Sequence, residues 1–263
     1  MKILVLGCGT STGVPLIGCT CRICVSENPK NKRLRPSILV SENNFDILID
    51  TAPDLRTQAL KFNVKNIDAV LYTHTHADHI FGIDDLRMFN YLKNLKKDDN
   101  KFIPIPIYAS ETAINFIKNK FDYIFKDKSE SSKPYLIPNV VRGSLEIKPG
   151  LKITPIPVFH GKNLIYGYRI NDFAYITDVS SIPEPSFDLL KGLKGLMIDT
   201  LRYKPHPTHL SIEEAVLISE RINPAKTYFT HMGHNVDYEE ITGICQCRSN
   251  NLIPAYDGLN FEL

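Results

Sequence analysis

The sequence lacks any apolar run of the roughly twenty residues that a membrane-spanning helix needs. The apolar run within residues 1–7 is also shorter than the hydrophobic region of a secretion signal, and no small-residue cleavage site follows it. We therefore expect a cytoplasmic protein without membrane contacts, in which residues 2–6 form a first strand.

The sequence also lacks a marked excess of either charge. Lysine and arginine total 31 and aspartate and glutamate total 29, which gives a formal net charge of +2 at pH 7. A charge this small does not by itself indicate binding to nucleic acid or to an anionic membrane. Lysine-rich stretches at 93–101 and 126–133 are interpreted as solvated surface, with a basic binding patch as the alternative.

We find no internal repeat, no Gly/Ser-rich linker and no low-complexity tract in the 263 residues. Apolar residues make up 43% and charged residues 23%, as is usual for a globular protein. A chain of this length is able to bury one large core. We predict a single domain over residues 1–263.

The six cysteines do not suit a disulfide framework, because the chain is long and carries no secretion signal. Cys19, Cys21 and Cys24 form a C-x-C-x-x-C cluster. Three thiolates this close together suit a tetrahedral zinc that needs one more ligand, and a reduced or redox-sensitive loop is the alternative. The other cysteines are scattered, and only the first is assigned a role, as a small apolar side chain: Cys8, Cys245 and Cys247.

Apolar, β-branched and aromatic runs predict strands, and apolar residues at helical spacing predict helices. The predicted strands are 2–6, 37–40, 45–50, 69–73, 106–109, 151–159, 165–170, 173–177, 195–199, 226–230 and 259–263. The predicted helices are 53–62, 111–125 and 212–222. The last has Ser211 as its N-cap and Asn223-Pro224 as its stop.

Residues 73–79, Thr-His-Thr-His-Ala-Asp-His, hold three imidazoles and one carboxylate directly after a predicted strand. His74 and His76 can face the same side of an extended chain, whereas Asp78 and His79 fall in the turn beyond. Such a loop suits two metal ions bound side by side. A lone histidine is usually structural, but grouped His and Asp residues indicate metal binding or catalysis.

Other predicted strands end in residues of the same chemical types. His160, Asp178 and His231 each close an apolar, β-branched or aromatic run, and Asp50 closes the run at 45–50. Together with His74-x-His76-x-Asp78-His79, this order resembles the metallo-β-lactamase superfamily. The resemblance implies an α/β fold, a four-layer αββα sandwich in which two mixed sheets pack face to face and the active site lies along one edge.

The resemblance also implies how the ligands divide between two catalytic ions. One ion is expected on His74, His76 and His160. The second is expected on Asp78, His79 and His231, with Asp178 bridging the two and Asp50 orienting a ligand. Nitrogen and oxygen ligands tolerate Zn²⁺, Mn²⁺ or Fe²⁺, so the ligand types leave the metal open.

The N-terminal segment narrows the resemblance. The glycine-rich residues 9–15, followed by Gly18 and the cysteine cluster, look like the start of the phosphoribosyl cyclic-phosphate phosphodiesterases, the PhnP-like group. Members of that group carry a third, structural zinc on three such cysteines and a distant histidine. The resemblance assigns the fourth ligand to His234, three residues after His231.

Residues 199–210 offer candidates for protonating the leaving oxygen. His209 lies just before the capped helix, and the resemblance implies that it is the general acid, acting with the metal-bound Asp78. His206 is the competing candidate. Arg202 either neutralises a phosphate oxygen or forms an ordinary surface ion pair.

The leading prediction is a dinuclear phosphodiesterase that acts on a small-molecule substrate, and the resemblance suggests phosphoribosyl 1,2-cyclic phosphate. Transfer-RNA 3′ processing and thioester or lactone hydrolysis are alternatives within the same fold, and a non-enzymatic scaffold is a third. The interval between His160 and Asp178 is too short for the arm with which the processing nucleases grip transfer RNA. We therefore expect no nucleic-acid partner. The sequence does not decide between a monomer and a homodimer.

Overall fold

A computed structural model of the protein describes residues 1–95, 103–126 and 132–263. Parts of both lysine-rich stretches, 96–101 and 127–131, lie outside the described residues. The strands are β1 (Lys2–Gly7), β2 (Ser37–Glu42), β3 (Phe45–Ile49), β4 (Ala69–Leu71), β5 (Ile105–Ala109), β6 (Leu136–Val140), β7 (Leu145–Lys148), β8 (Leu151–His160), β9 (Asn163–Ile170), β10 (Phe173–Ile176), β11 (Gly195–Asp199), β12 (Lys226–Thr230), β13 (Leu252–Pro254) and β14 (Asn260–Glu262).

The α-helices are α1 (Leu55–Lys61), α2 (Ala77–Ile80), α3 (Leu86–Asn94), α4 (Glu111–Lys120), α5 (Asp122–Phe125), α6 (Glu184–Asp188), α7 (Ile212–Ile222) and α8 (Tyr238–Arg248). Short 3₁₀ turns lie at Pro29–Asn31 and Ile83–Asp85. Within the described ranges the longest helices have 11 residues, and none is long and apolar enough to cross a membrane.

Two mixed sheets of seven strands each form the centre of the fold. The first has the order β14-β1-β2-β3-β4-β5-β6, and the second has the order β13-β12-β11-β10-β9-β8-β7. In the first sheet β3 to β6 run parallel, and in the second β10 to β13 do. The carboxyl ends of these parallel strands are where ligands bind in comparable open sheets.

Apolar side chains fill the space between the sheets and beneath the helices. Ile38, Ile49 and Val158 belong to the core between the sheets. Val70 and Ile117 belong to a second core, where α1, α3 and α4 cover the outer face of the first sheet. Because α7 and α8 also pack onto the second sheet, the predicted αββα sandwich is confirmed.

The predicted elements differ from the structure in three respects. The predicted helix 111–125 is broken at Phe121, where φ is −114° and ψ is 46°, so that α4 and α5 are separate. Helices α2, α3, α6 and α8 were not predicted. Helix α8 buries only Tyr238, Ile241 and Cys245, which leaves little apolar periodicity to detect. The short strands β6, β7 and β13 were also missed.

Candidate active site

The backbone at three strand ends adopts the left-handed conformation. The φ angles are 63° at Asp50, 55° at Asp178 and 62° at His231. Residues other than glycine rarely adopt such angles, and they cost free energy that the surrounding structure has to offset. Conformations of this kind concentrate at functional sites, and here each one turns a His or Asp side chain at the end of β3, β10 or β12.

Around Asp178 the structure brings together the residues predicted to hold the second ion. His79 Nε2 lies 3.1 Å from Asp78 Oδ2 and 3.2 Å from Asp178 Oδ2. His231 Nε2 also lies 3.2 Å from Asp178 Oδ2. All four side chains are buried, and each offers a ligand atom within 4.8 Å of the others. One cation can therefore contact all four.

The residues predicted to hold the first ion lie on the other side of Asp178. Ligand atoms of His74, His76 and Asp178 are within 4.8 Å of one another. The His160 ring is 5.1 Å from that of His76 and 5.7 Å from that of His74, measured between centroids. The ligand atom of His160 instead groups with those of Asp178 and His209. Asp178 is thus shared by these three groups, as the bridging role that the family resemblance implies would require.

Buried polar atoms without hydrogen-bond partners are concentrated at this site. Among the described side chains they include Nε2 of His74, His79 and His231, and Oδ2 of Asp78. An unpaired buried polar atom costs free energy, so a cluster of them facing one another indicates a missing partner. Imidazole nitrogens and carboxylate oxygens are ligands of divalent metals, and the site therefore fits the ions that the sequence predicts.

Hydrogen bonds at Nδ1, on the side of the ring that faces away from the site, fix the tautomers of two histidines. His79 Nδ1 donates to Asp50 Oδ2 at 2.7 Å, and His160 Nδ1 donates to the Thr208 carbonyl at 2.9 Å. In its neutral form each ring therefore has its free lone pair on Nε2, the atom that faces the site. Thr73 holds Asp50 in turn, since its amide and its hydroxyl each donate to that carboxylate at 2.8 Å. The contact of Asp50 with His79 is the one that the family resemblance implies, whereas the contribution of Thr73 was not predicted.

The charges of the site favour a cation. Burial lowers the pKa of His74. Burial has the same effect on His79 and His231, but carboxylates outweigh it, so that the pKa of His79 lies well above its usual value and that of His231 is raised to about 9. Burial opposes ionisation of Asp78 too, yet the adjacent His79 holds the pKa of that carboxyl below its usual range. The carboxylates thus stabilise positive charge where the ligand atoms meet.

His209 lies beside this cluster and contacts a carboxylate whose role was not predicted. Its Nδ1 donates to Asp199 Oδ2 at 2.7 Å, and its ring centroid is 4.9 Å from those of His160 and His231. Asp199 is fully buried. Its position at the end of β11 is the signal that sequence reasoning could have used, because Asp178 and His231 follow the neighbouring strands in the same way.

His206 and Arg202 belong to the loop before His209. The His206 ring lies 5.2 Å from the His209 ring, and its Nδ1 accepts a hydrogen bond from the Thr208 amide at 3.3 Å. Arg202 donates to the carbonyls of Lys204 and Pro205 at 3.0 and 2.6 Å. Its guanidinium thereby holds the loop that carries His206.

The cysteine cluster and His234 meet at a separate place. His234 Nδ1 lies 3.5 Å from the sulfur of Cys19 and 3.6 Å from those of Cys21 and Cys24. A hydrogen bond from the Cys24 amide, with further help from His234, lowers the pKa of Cys21 to about 6, whereas burial raises the pKa of Cys24. Three sulfurs and one nitrogen at these distances fit a tetrahedral metal.

The remaining cysteines are also free thiols. Cys8 is buried, and its thiol donates to the Ala255 carbonyl at 3.6 Å, as suits a small, mostly apolar side chain. Cys245 is buried in α8 and Cys247 is exposed.

Comparison with known proteins places the chain in a family. Residues 46–232 match the family described as "Beta-lactamase superfamily domain". A solved structure described as "a New Diphosphatase from the PhnP Family" is 41% identical, with a TM-score of 0.89, and the match covers 100% of this chain and 97% of that one.

Two curated relatives have other names. The octanoyltransferase of Porphyromonas gingivalis is 35% identical over 238 residues, which cover 89% of this chain but only 46% of that protein. The anti-Pycsar protein Apyc1 of Paenibacillus harenae is 27% identical over 217 residues, covering 78% of this chain and 86% of the relative. Because the chain spans less than half of the octanoyltransferase, the activity in that name is not carried over.

The fold and these matches define a metal-dependent hydrolase with a metallo-β-lactamase fold. Within the metallo-β-lactamase superfamily, the chain belongs to the PhnP family.

Proposed function

We propose that the protein hydrolyses a small phosphodiester at the site around Asp178. One observation carries the proposal. Seven His and Asp side chains converge there from one loop and three strand ends. A further histidine, His209, lies beside them and donates a hydrogen bond to the Asp199 carboxylate. The seven are His74, His76, Asp78, His79, His160, Asp178 and His231.

The ions that we propose are two divalent metals, zinc or manganese. His74, His76 and His160 would hold one, and Asp78, His79 and His231 the other, with Asp178 between them. When bound, such a pair supplies Lewis acidity and lowers the pKa of water. We propose a third ion, a structural zinc, on the cluster of Cys19, Cys21, Cys24 and His234.

The proposed role of His209 is to protonate the leaving oxygen. Because its Nδ1–H donates to Asp199, the ring presents Nε2 on its opposite side, towards His160. A histidine so oriented can deliver a proton at Nε2 while the carboxylate stabilises the imidazolium. His206 has no carboxylate partner among its described hydrogen bonds, and this favours His209 as the acid.

A phosphodiester is the first candidate substrate, with phosphoribosyl 1,2-cyclic phosphate as the compound that the family resemblance suggests. A diphosphate is the second candidate, because the 41% identical relative is described as a diphosphatase. Both reactions break a bond between phosphorus and oxygen, and both need an activated water and a proton for the leaving group.

Transfer-RNA 3′ processing is less well supported. The whole interval between His160 and Asp178 consists of the hairpin of β9 and β10, so no arm for a folded RNA lies there. The free cysteines agree with the proposal of a reducing, cytoplasmic location.

The test is a substrate panel with zinc- and manganese-loaded protein: phosphoribosyl 1,2-cyclic phosphate, nucleoside cyclic phosphates, a dinucleoside diphosphate and precursor transfer RNA. We expect turnover of a small substrate that changes little between 50 and 200 mM salt. RNA binding through several phosphates would weaken by roughly 10³–10⁵-fold over that range. Absence of turnover on every small substrate, or efficient and salt-sensitive RNA cleavage, would overturn the proposal.

A further inference from the structure

A cavity of about 240 Å³ opens beside His76 and His160. It lies between the start of α4 and the first residues of β9, so one side of it is the proposed metal site. Its volume is just below the roughly 300–1,000 Å³ typical of pockets for drug-sized ligands. The cavity therefore suits one ring of a small substrate rather than a polymer.

The lining of this cavity is uncharged apart from the histidines. Among the described residues, hydroxyls and one amide supply the polar groups, as at Thr112 and Asn163, and no lysine, arginine, aspartate or glutamate contributes. Two large apolar side chains also line it and remain open to solvent, Phe116 at 44% exposure and Leu164 at 59%. Apolar side chains left exposed beside a reactive centre indicate a binding surface.

A second phosphate group would find poor partners here. Phosphates distant from a metal are usually held by arginine, by lysine or by free amides at a helix start. At the start of α4, Ser110 Oγ already accepts from the Ala113 amide at 3.3 Å, and Glu111 adds a carboxylate to the first turn. The cavity thus disfavours the 5-phosphate that phosphoribosyl 1,2-cyclic phosphate carries.

We infer that the cavity binds the uncharged base of a nucleotide-like phosphodiester, with Phe116 as its stacking surface. Aromatic side chains bind bases through their faces, and hydroxyls and amides can pair with ring edges without adding charge. This inference rests on the proposed phosphodiesterase function and narrows its substrate to esters that carry a nucleoside.

The test compares Phe116→Ala with Tyr91→Ala, which removes an exposed aromatic ring from α3, away from the cavity. Substrates are a nucleoside cyclic phosphate and two compounds without a base, ribose 1,2-cyclic phosphate and its 5-phosphate. We expect Phe116→Ala to raise KM for the nucleoside substrate roughly 5- to 150-fold, the value of one base stack, with little change in kcat. Phe116→Ala should leave KM for the two compounds without a base unchanged. Tyr91→Ala should leave KM unchanged for all three substrates.

Calorimetry of nucleoside monophosphate binding gives a second measurement that does not need turnover. The dissociation constant should rise with Phe116→Ala and stay unchanged with Tyr91→Ala. Thr112→Lys, which adds a cation to the lining, should lower KM for the 5-phosphorylated compound.

Equal effects of Phe116→Ala on substrates with and without a base, or unchanged nucleotide binding, would refute the base subsite while leaving the phosphodiesterase proposal intact. If no phosphodiester is turned over, the phosphodiesterase proposal fails. In that case the nucleotide-binding measurement alone decides whether the cavity holds a base.

Discussion

One carboxylate, that of Asp199, lies between His209 and His231. Its Oδ2 accepts from His209 Nδ1 at 2.7 Å, and its Oδ1 lies 3.7 Å from His231 Nδ1. The proposed proton donor and a proposed metal ligand therefore share a single anionic neighbour. Their relative placement depends on the end of β11, which bears no part of the histidine motif.

His209→Ala should retain the bound metals and slow turnover by about 10²–10⁴-fold, the usual loss for a general acid. The defect should shrink for a diester that releases p-nitrophenolate, because that leaving group needs little protonation. His206→Ala is the control and should cost much less. An equal loss on activated and unactivated diesters would mean that His209 positions the substrate instead.

Asp199→Asn should lower kcat with little effect on KM, because a neutral amide orients His209 less firmly and stabilises its charged form less. Two groups that act as one unit give non-additive losses. We therefore expect Asp199→Asn to add little to the defect of His209→Ala. Asp172→Asn, at an exposed position, is the control. Fully additive losses in the double variant would show that Asp199 and His209 act independently of each other.

Asp78→Ala should reduce hydrolysis to background and lower the metal content by about one ion per chain, because Asp78 is one of four buried side chains that meet at the second position. Elemental analysis of matched preparations measures the ions directly. Unchanged metal content with full activity would remove Asp78 from the ligand set.

Cys21→Ser should remove zinc from the cysteine cluster and lower the thermal midpoint by at least about 5 °C, since structural zinc contributes directly to folding. The exposed Cys247 supplies a matched control in Cys247→Ser. Zinc content and midpoint equal to those of the control would show that the cluster is simply a set of reduced thiols.

Asp257 should make stability depend on pH. Burial, opposed by hydrogen bonds from the Leu34 and Cys8 amides, raises its pKa to about 6. A carboxyl whose pKa is higher in the folded state than in the unfolded state contributes most to the unfolding free energy below about pH 4. That contribution is lost as the pH rises from about 4 to about 6. The unfolding free energy of the protein relative to Asp257→Asn should therefore fall across this window and level off above it. A difference that does not vary with pH would contradict the assignment.

The residues of the candidate metal site are visible in the sequence because they follow local rules. His74 to His79 are contiguous, and Asp178 and His231 end apolar strands, so their placement follows from strand direction alone. The cysteine cluster was equally visible, although its histidine partner came only from the family resemblance. The two-sheet αββα architecture, in contrast, was implied by the family resemblance, and the predicted strands agree with it.

Features that arise between distant elements were not predictable in this way. The bond between Asp199 and His209 depends on how the loop after β11 folds back, and no local spacing encodes that path. The cavity beside His76 requires α4 and β9 to approach each other, and Phe116 on its own looks like an ordinary exposed aromatic residue. Helix α8 was missed because it has too narrow a buried face.

The contact between the cysteine cluster and His234 bears on synthesis of the chain. Cys24 and His234 are 210 residues apart in the sequence. Because the chain is synthesised at about 5–20 residues per second, His234 is added roughly ten to forty seconds after the cysteines. During that time three neighbouring thiols, one of them Cys21 with its low pKa in the finished fold, leave the ribosome as an incomplete site. We therefore expect zinc supply and protection from oxidants during translation to affect the yield of protein in which this cluster is complete.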